Sequence, residues 1–217
     1  MANTVFITGI HTGSGKTLVA ASLTLLTNGT YWKPIQTGHE QDRDDSLVKQ
    51  WLEDTQCRIH PTEYCFSLPA SPNIAAAAES AEILPEKINV PNNQYQTLII
   101  EGAGGFLVPL NQTTLYGDWI ASLKIPVIIV INSYLGCINH TLLTIEVVKN
   151  RISTPIELIF CGDFQPEVIQ TISHFAKLPV IGQIPFLENP TPQTVVKNNW
   201  LQIPTFLSPK NPINLLT

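Results

Sequence analysis

The stretch 6-FITGIHTGSGKT-17 decides how the rest of the chain is read. An apolar run, residues 4–8 (TVFIT), enters Gly9 as a buried strand would. "KTLVAASLTLLTN" then sets apolar residues at helical spacing and stops at Asn28-Gly29, a pair suited to a helix end. Between them stands the end of a phosphate-binding loop. In the usual pattern, G-x-x-x-x-G-K-[ST], the first glycine falls where this chain has Ile10; here it is Gly9. One extra residue changes the entry, yet the cradle Gly13-Ser14-Gly15-Lys16-Thr17 is intact. Gly13 and Gly15 let the backbone turn and bring N–H groups to phosphate oxygens, and the helix adds its positive end. Lys16 can reach the β- and γ-phosphates, and the Thr17 hydroxyl can ligate Mg²⁺. The competing reading is an ordinary glycine-rich strand-to-helix turn.

Working outward, "TYWKP" reads as a brief strand ended by Pro34, and "DDSLVKQWLED" as a helix opened by aspartates. Residues 55–92 hold Pro61, Pro69, Pro72 and Pro85, among others, around "NIAAAAESAE", which should be helical. "YQTLIIEG", "IPVIIVIN", "PIELIFCG" and "LPVIGQIP" are strand candidates, with helices "CINHTLLTIEVVKN" and "PEVIQTISHFA" among them. Alternating strands and helices imply right-handed βαβ units and a mostly parallel sheet flanked by helices, a three-layer α/β fold of P-loop NTPase type. No linker or repeat interrupts the chain. Residues 1–217 read as a single domain, with an irregular proline-rich surface tail after about residue 200.

The 217 residues are 44% hydrophobic and carry a formal net charge of −5, a balance that argues against a nucleic-acid partner. The four cysteines form no C-x-x-C pair, as expected of free thiols in a reducing compartment. No basic leader precedes the first strand, and no apolar run approaches the roughly 20 residues of a membrane span. The expectation is a soluble, cytoplasmic protein.

Glu101 ends an apolar strand, where ligands of parallel sheets collect, and is a candidate for Mg²⁺. Asp44 and Asp45 precede a helix and read equally as metal ligands or as helix caps. Lys33 should also lie at the carboxyl edge of the sheet, where a lone lysine is commonly a surface charge.

Taken together, these segments resemble dethiobiotin synthetase, whose loop, G-T-D-T-x-x-G-K-T, has the same extra residue. "KPIQTG" (33–38), "DDSL" (44–47), "PASPNIAA" (69–76), "EGAGGFLVPL" (101–110), "DWIASLKIPVIIV" (118–130), "LGCINHTLLT" (135–144) and "GQIPFLENP" (182–190) follow the family in order. The resemblance implies an ATP- and Mg²⁺-dependent ligase that closes 7,8-diaminononanoate with CO₂, from bicarbonate, into a cyclic urea. It implies Lys16 and Lys33 as catalytic, and Thr17, Asp45 and Glu101 as the metal shell. Thr12, Thr37 and the backbone at Gly104 would contact the diamine or its carbamate. Gly136, Cys137 and Asn139 would hold the substrate carboxylate of a partner subunit, in a homodimer with the site at its interface. Gly162 and the loop Pro185-Phe186-Leu187-Glu188 would meet the base and ribose.

Two departures stand out. His11 replaces the family's loop aspartate, and Gly162 stands where an asparagine often reads adenine. Losing such an amide contact, commonly worth about 1–3 kcal/mol, implies weak base discrimination, with GTP or CTP partly replacing ATP. Two other readings are a nucleotide-dependent switch, such as partition ATPases, and a relative that binds nucleotide without ligase activity. The switch signature, a lysine early in the loop, is absent, since His11 takes that place.

Overall fold

The computed structural model describes residues 3–39, 41, 43–92 and 96–207. The strand candidates come together as one seven-stranded sheet. Its strands are β1 (Thr4–Gly9), β2 (Thr30–Trp32), β4 (Arg58–Ile59), β6 (Leu98–Gly105), β7 (Val127–Asn132), β8 (Ile156–Cys161) and β9 (Val180–Ile184), ordered β4-β2-β6-β1-β7-β8-β9. Every pairing between them is parallel. β3 (Ile35–Thr37) and β5 (Tyr64–Phe66) form a separate parallel pair.

Period-2 alternation divides each strand between two cores. Phe6, Trp32, Ile100 and Ile129 face one side; Val5, Ile7, Tyr31, Ile99 and Val130 face the other. The first core packs under α3 (Pro72–Ala78), α4 (Tyr116–Leu123), α5 (Cys137–Arg151) and α6 (Pro166–Ala176). The second packs under α1 (Lys16–Leu26), α2 (Asp44–Trp51) and α7 (Pro192–Lys197). Burial on both faces explains the near-continuous apolar strands. A fully buried side chain such as Ile7 or Ile129 contributes about 1.5–3 kcal/mol relative to exposure.

Some boundaries differ from the sequence reading. α3 ends at Ala78 rather than running through Glu82, because Ser80 turns to φ 55° and the chain leaves the helix. α2 stops at Trp51. β6 runs on to Gly105, and its register to β1 shifts between the pairs Ile7–Glu101 and Gly9–Gly105. The bulge places residues 102–104 between those pairs, with Gly102 against Phe6 and Gly104 beside Thr12 of the phosphate loop. Of the tail, residues 201–207 are described. They are largely irregular, but Leu201 and Leu207 are buried and Leu201 bridges Gly182. Thr205 donates through its backbone N–H, at 3.1 Å, and its hydroxyl to the buried Glu157 carboxylate. Pro209 and Pro212 lie outside the described residues.

Candidate active site

β1, β2 and β6 are adjacent, and their carboxyl ends bring the phosphate loop, Lys33 and Glu101 to one edge, as parallel sheets do. Gly13 and Gly15 adopt φ 77° and 94°. No side chain caps α1 at Gly15, so its first N–H groups are left for a ligand. The displaced first glycine has a steric cause. Ser14 is fully buried, and a Cβ on Gly9 would lie 2.0 Å from its Oγ. A side chain at 9 would force Ser14 to shift, whereas Ile10 packs against the first core.

Lys16 donates to the His11 carbonyl at 3.2 Å. Burial pushes its ammonium down to about 8; Glu101 opposes that shift and the charge of Lys33 adds to it. The His11 ring meets Tyr134 edge-on at 5.0 Å, and Tyr134 in turn bonds His140 Nδ1 at 2.6 Å.

Lys33 is no surface charge: it is 3% exposed. Its ammonium donates to Glu101 Oε1 at 3.0 Å and pairs with Asp44 Oδ2. Burial disfavours the ammonium, but the two carboxylates outweigh it and hold its pKa above the ordinary lysine value. The Thr17 hydroxyl lies 2.8 Å from both Asp44 Oδ1 and Glu101 Oε1. Asp44 is partly buried, yet Lys33 and Thr17 hold its carboxyl below the usual range.

The aspartate at the loop is thus Asp44, and Asp45 is turned away. Asp45 is held by Arg43 at 2.9 and 2.6 Å and by Thr62 at 3.1 Å. Successive residues in a helix's first turn point about 100° apart, so only one of the two can face the loop. The capping alternative holds for Asp45, whose Oδ1 accepts the Ser46 N–H at 2.9 Å in the first turn of α2, although the N-cap position itself is Arg43.

Tyr31 escaped the sequence reading. Its hydroxyl donates to Glu101 Oε2 at 2.7 Å, with both residues fully buried. The available signal was period 2: Tyr31 and Lys33 fall on the same face of the chain, with Trp32 on the other.

Lys16, Thr17, Lys33, Asp44 and Glu101 line a cleft of about 740 Å³. Thr12, Thr37, Ala103 and Gly104 also line it, together with the apolar Leu18, Trp51, Pro69 and Val108. Gly162 and Pro185 line a second cleft, beyond β8. There Asp163 accepts the Phe186 N–H at 3.1 Å; Leu187 packs on the second core, and Phe186 and Glu188 are exposed. Gly136, Cys137 and Asn139 stand at the start of α5, outside the first cleft. Gly136 takes φ 102° there, and no side chain caps the helix. Cys137 is buried and Asn139 exposed. Among the described residues no cluster of three His, Cys, Asp or Glu side chains forms a metal site, and no helix is long and apolar enough to cross a membrane.

A family model described as an AAA domain matches residues 3–194. Solved structures of similar fold include a ParA family ATPase from Chlorobium tepidum TLS, 16% identical with TM-score 0.56, covering 95% of this chain and 96% of that one. A putative plasmid partition protein from Borrelia burgdorferi B31 bound to AMPPNP is 14% identical with TM-score 0.52, over 95% and 94%. At such identities the likeness concerns the fold alone. The ATP-dependent dethiobiotin synthetases of Brucella ovis (strain ATCC 25840 / 63/290 / NCTC 10512) and Brucella abortus (strain 2308) are each 36% identical, over 89% of this chain and 91% of theirs. With 36% identity over about nine-tenths of both chains, the chain belongs to the dethiobiotin synthetase family.

Proposed function

We propose that this protein is an ATP-dependent dethiobiotin synthetase, a ligase that joins CO₂ to the two amines of 7,8-diaminononanoate. The observation that carries the reading is Lys33, buried at the cleft between Glu101 and Asp44, beside a phosphate loop with its own lysine. CO₂ forms a carbamate on one amine. A carbamate oxygen takes the γ-phosphoryl group, giving a carbamic–phosphoric anhydride and ADP. The second amine attacks the carbonyl carbon, phosphate leaves, and the cyclic urea closes.

The chain's part is to bring two anions together. Lys16 on the triphosphate and Lys33 on the carbamate offset their repulsion. Thr12, Thr37 and the Gly104 backbone orient the diamine, and the cleft's apolar side chains take its methylene chain. No protein nucleophile is required. Cys137 is buried with no base bonded to it, and burial lifts the Cys161 thiol to about 12. Positioning alone supplies about 7–11 kcal/mol in ideal cases.

The donor set suits Mg²⁺. Thr17, Asp44 and Glu101 offer hard oxygens, the Thr17 hydroxyl lying 2.8 Å from one oxygen of each carboxylate, and Mg²⁺ ordinarily adds phosphate oxygens and water. Bound there, the ion would supply positive charge against the phosphates. Asp44 takes the role the resemblance gave to Asp45.

The reading extends to a cytoplasmic homodimer of single P-loop domains. Leu107 and Leu143 are exposed and line a shared groove beside the loop, and Leu135 is fully exposed just before α5. A second copy covering them would bring the start of α5, with its free N–H groups, to its partner's substrate carboxylate.

Incubation with diamine, bicarbonate, Mg²⁺ and ATP, followed by mass analysis, should reveal the cyclic urea. Phosphate release should require both diamine and bicarbonate; slow release with neither present would favour a switch ATPase instead.

A further inference from the structure

Glu101 is fully buried and receives three donors, Thr17 at 2.8 Å, Lys33 at 3.0 Å and Tyr31 at 2.7 Å. They are divided unequally between its oxygens. Thr17 and Lys33 both meet Oε1, and only Tyr31 meets Oε2. Within the function proposed above, Thr17 and Lys33 turn to the metal and the carbamate when reactants arrive. Tyr31 has no such second task. It sits on β2 opposite Ile99, two residues before Glu101 on the same face of β6, and its ring is locked in the second core.

We propose that Tyr31 is a positioning residue for the metal–nucleotide: its hydroxyl fixes Oε2, so that Glu101 presents Oε1 alone toward Thr17. This inference rests on the proposed function only in taking Glu101 as a metal ligand of the nucleotide site. The physical reason is that a ligating carboxylate free to rotate offers Mg²⁺ either one oxygen or two, whereas the ion's tight octahedral shell favours one. An outer hydrogen bond of this kind orients the ligand before the ion arrives.

The test compares the full-length chain with Tyr31→Phe, both loaded with a non-hydrolysable ATP analogue. Mn²⁺ stands in for Mg²⁺, and its affinity is measured by electron paramagnetic resonance. The variant should bind Mn²⁺ about ten-fold or more weakly, while its affinity for the analogue without metal stays within about two-fold. Unchanged Mn²⁺ affinity in a folded variant, even one with a lowered melting temperature, would reduce Tyr31 to a packing role and overturn the proposal. If Tyr31→Phe does not fold, the wild-type hydroxyl proton is followed by NMR. It should remain protected from exchange after Mg²⁺ and analogue are added, and its loss on loading would overturn the proposal. The synthesis assay is separate: wild type that makes no cyclic urea, with the Mn²⁺ effect intact, removes the proposed reaction and leaves the role of Tyr31 standing.

Discussion

The Lys33 ammonium lies 3.0 Å from Glu101 Oε1, with both side chains buried and Asp44 on the ammonium's other side. One cation is thus held by two carboxylates in a site that must also accept anions. Removing one partner of a buried ion pair leaves an unpaired charge, at a cost of about 3–5 kcal/mol. Lys33→Ala should therefore lose turnover and unfold at lower denaturant. Adding Glu101→Gln should restore much of the stability but none of the turnover. Near-normal turnover of Lys33→Ala would remove Lys33 from the chemistry.

Lys16 gives a pH signature. Its folded value, about 8, lies below the ordinary 10.5. Between these limits the unfolded chain binds more protons than the folded one, so the Lys16 contribution to stability rises with pH through that window and is flat outside it. A bound triphosphate restores the ammonium. Nucleotide binding near pH 9 should therefore take up about one proton, seen as binding heats that differ between buffers of different ionisation enthalpy. Equal heats would contradict the shift.

Gly15 is constrained twice, by its φ of 94° and by Cys161, whose Cβ and Sγ would stand 3.2 Å from an added Cβ. Gly15→Ala should weaken nucleotide binding and cost about 1–2 kcal/mol from backbone hand alone, with crowding in addition. Adding Cys161→Ala removes only the sulfur, so recovery should be partial. Full recovery would show that crowding, not the backbone, sets the cost.

Gly162 adopts φ 109°, a conformation that side chains rarely take. If the base meets this position as proposed, it finds no side-chain amide there, and GTP and CTP should support turnover within about 10- to 100-fold of ATP, the span of one lost base contact. A preference for ATP of several orders of magnitude would disprove it.

Leu143 is 58% and Leu135 103% exposed. If a second copy covers them, Leu143→Asp should give a monomer by light scattering, with a raised KM for the diamine and unchanged nucleotide affinity. A dimer of normal activity would place the interface elsewhere.

The main sheet's long strands and the phosphate loop were legible in the sequence, because near-continuous apolar runs and Gly15-Lys16-Thr17 report on local chemistry; the order of the strands in the sheet was not. β3, β4 and β5 were not legible: each is two or three residues long, too short to show a period, and β2, equally short, was read only as the apolar stub before Pro34. Asp44 and Asp45 are chemically identical in the sequence. Only the placement of α2 against the loop, with Arg43 drawing Asp45 aside, decides which one meets Thr17. Tyr31 and Glu101 are 70 residues apart, and no local pattern joins them. Their bond exists because the crossovers set β2 beside β6 in one register. The sequence alone determined that a glycine-rich loop ending in Gly15-Lys16-Thr17 joins a buried strand to a helix. The tertiary structure decided which carboxylates and which lysine stand at that loop, since buried charges are paired through space and not along the chain.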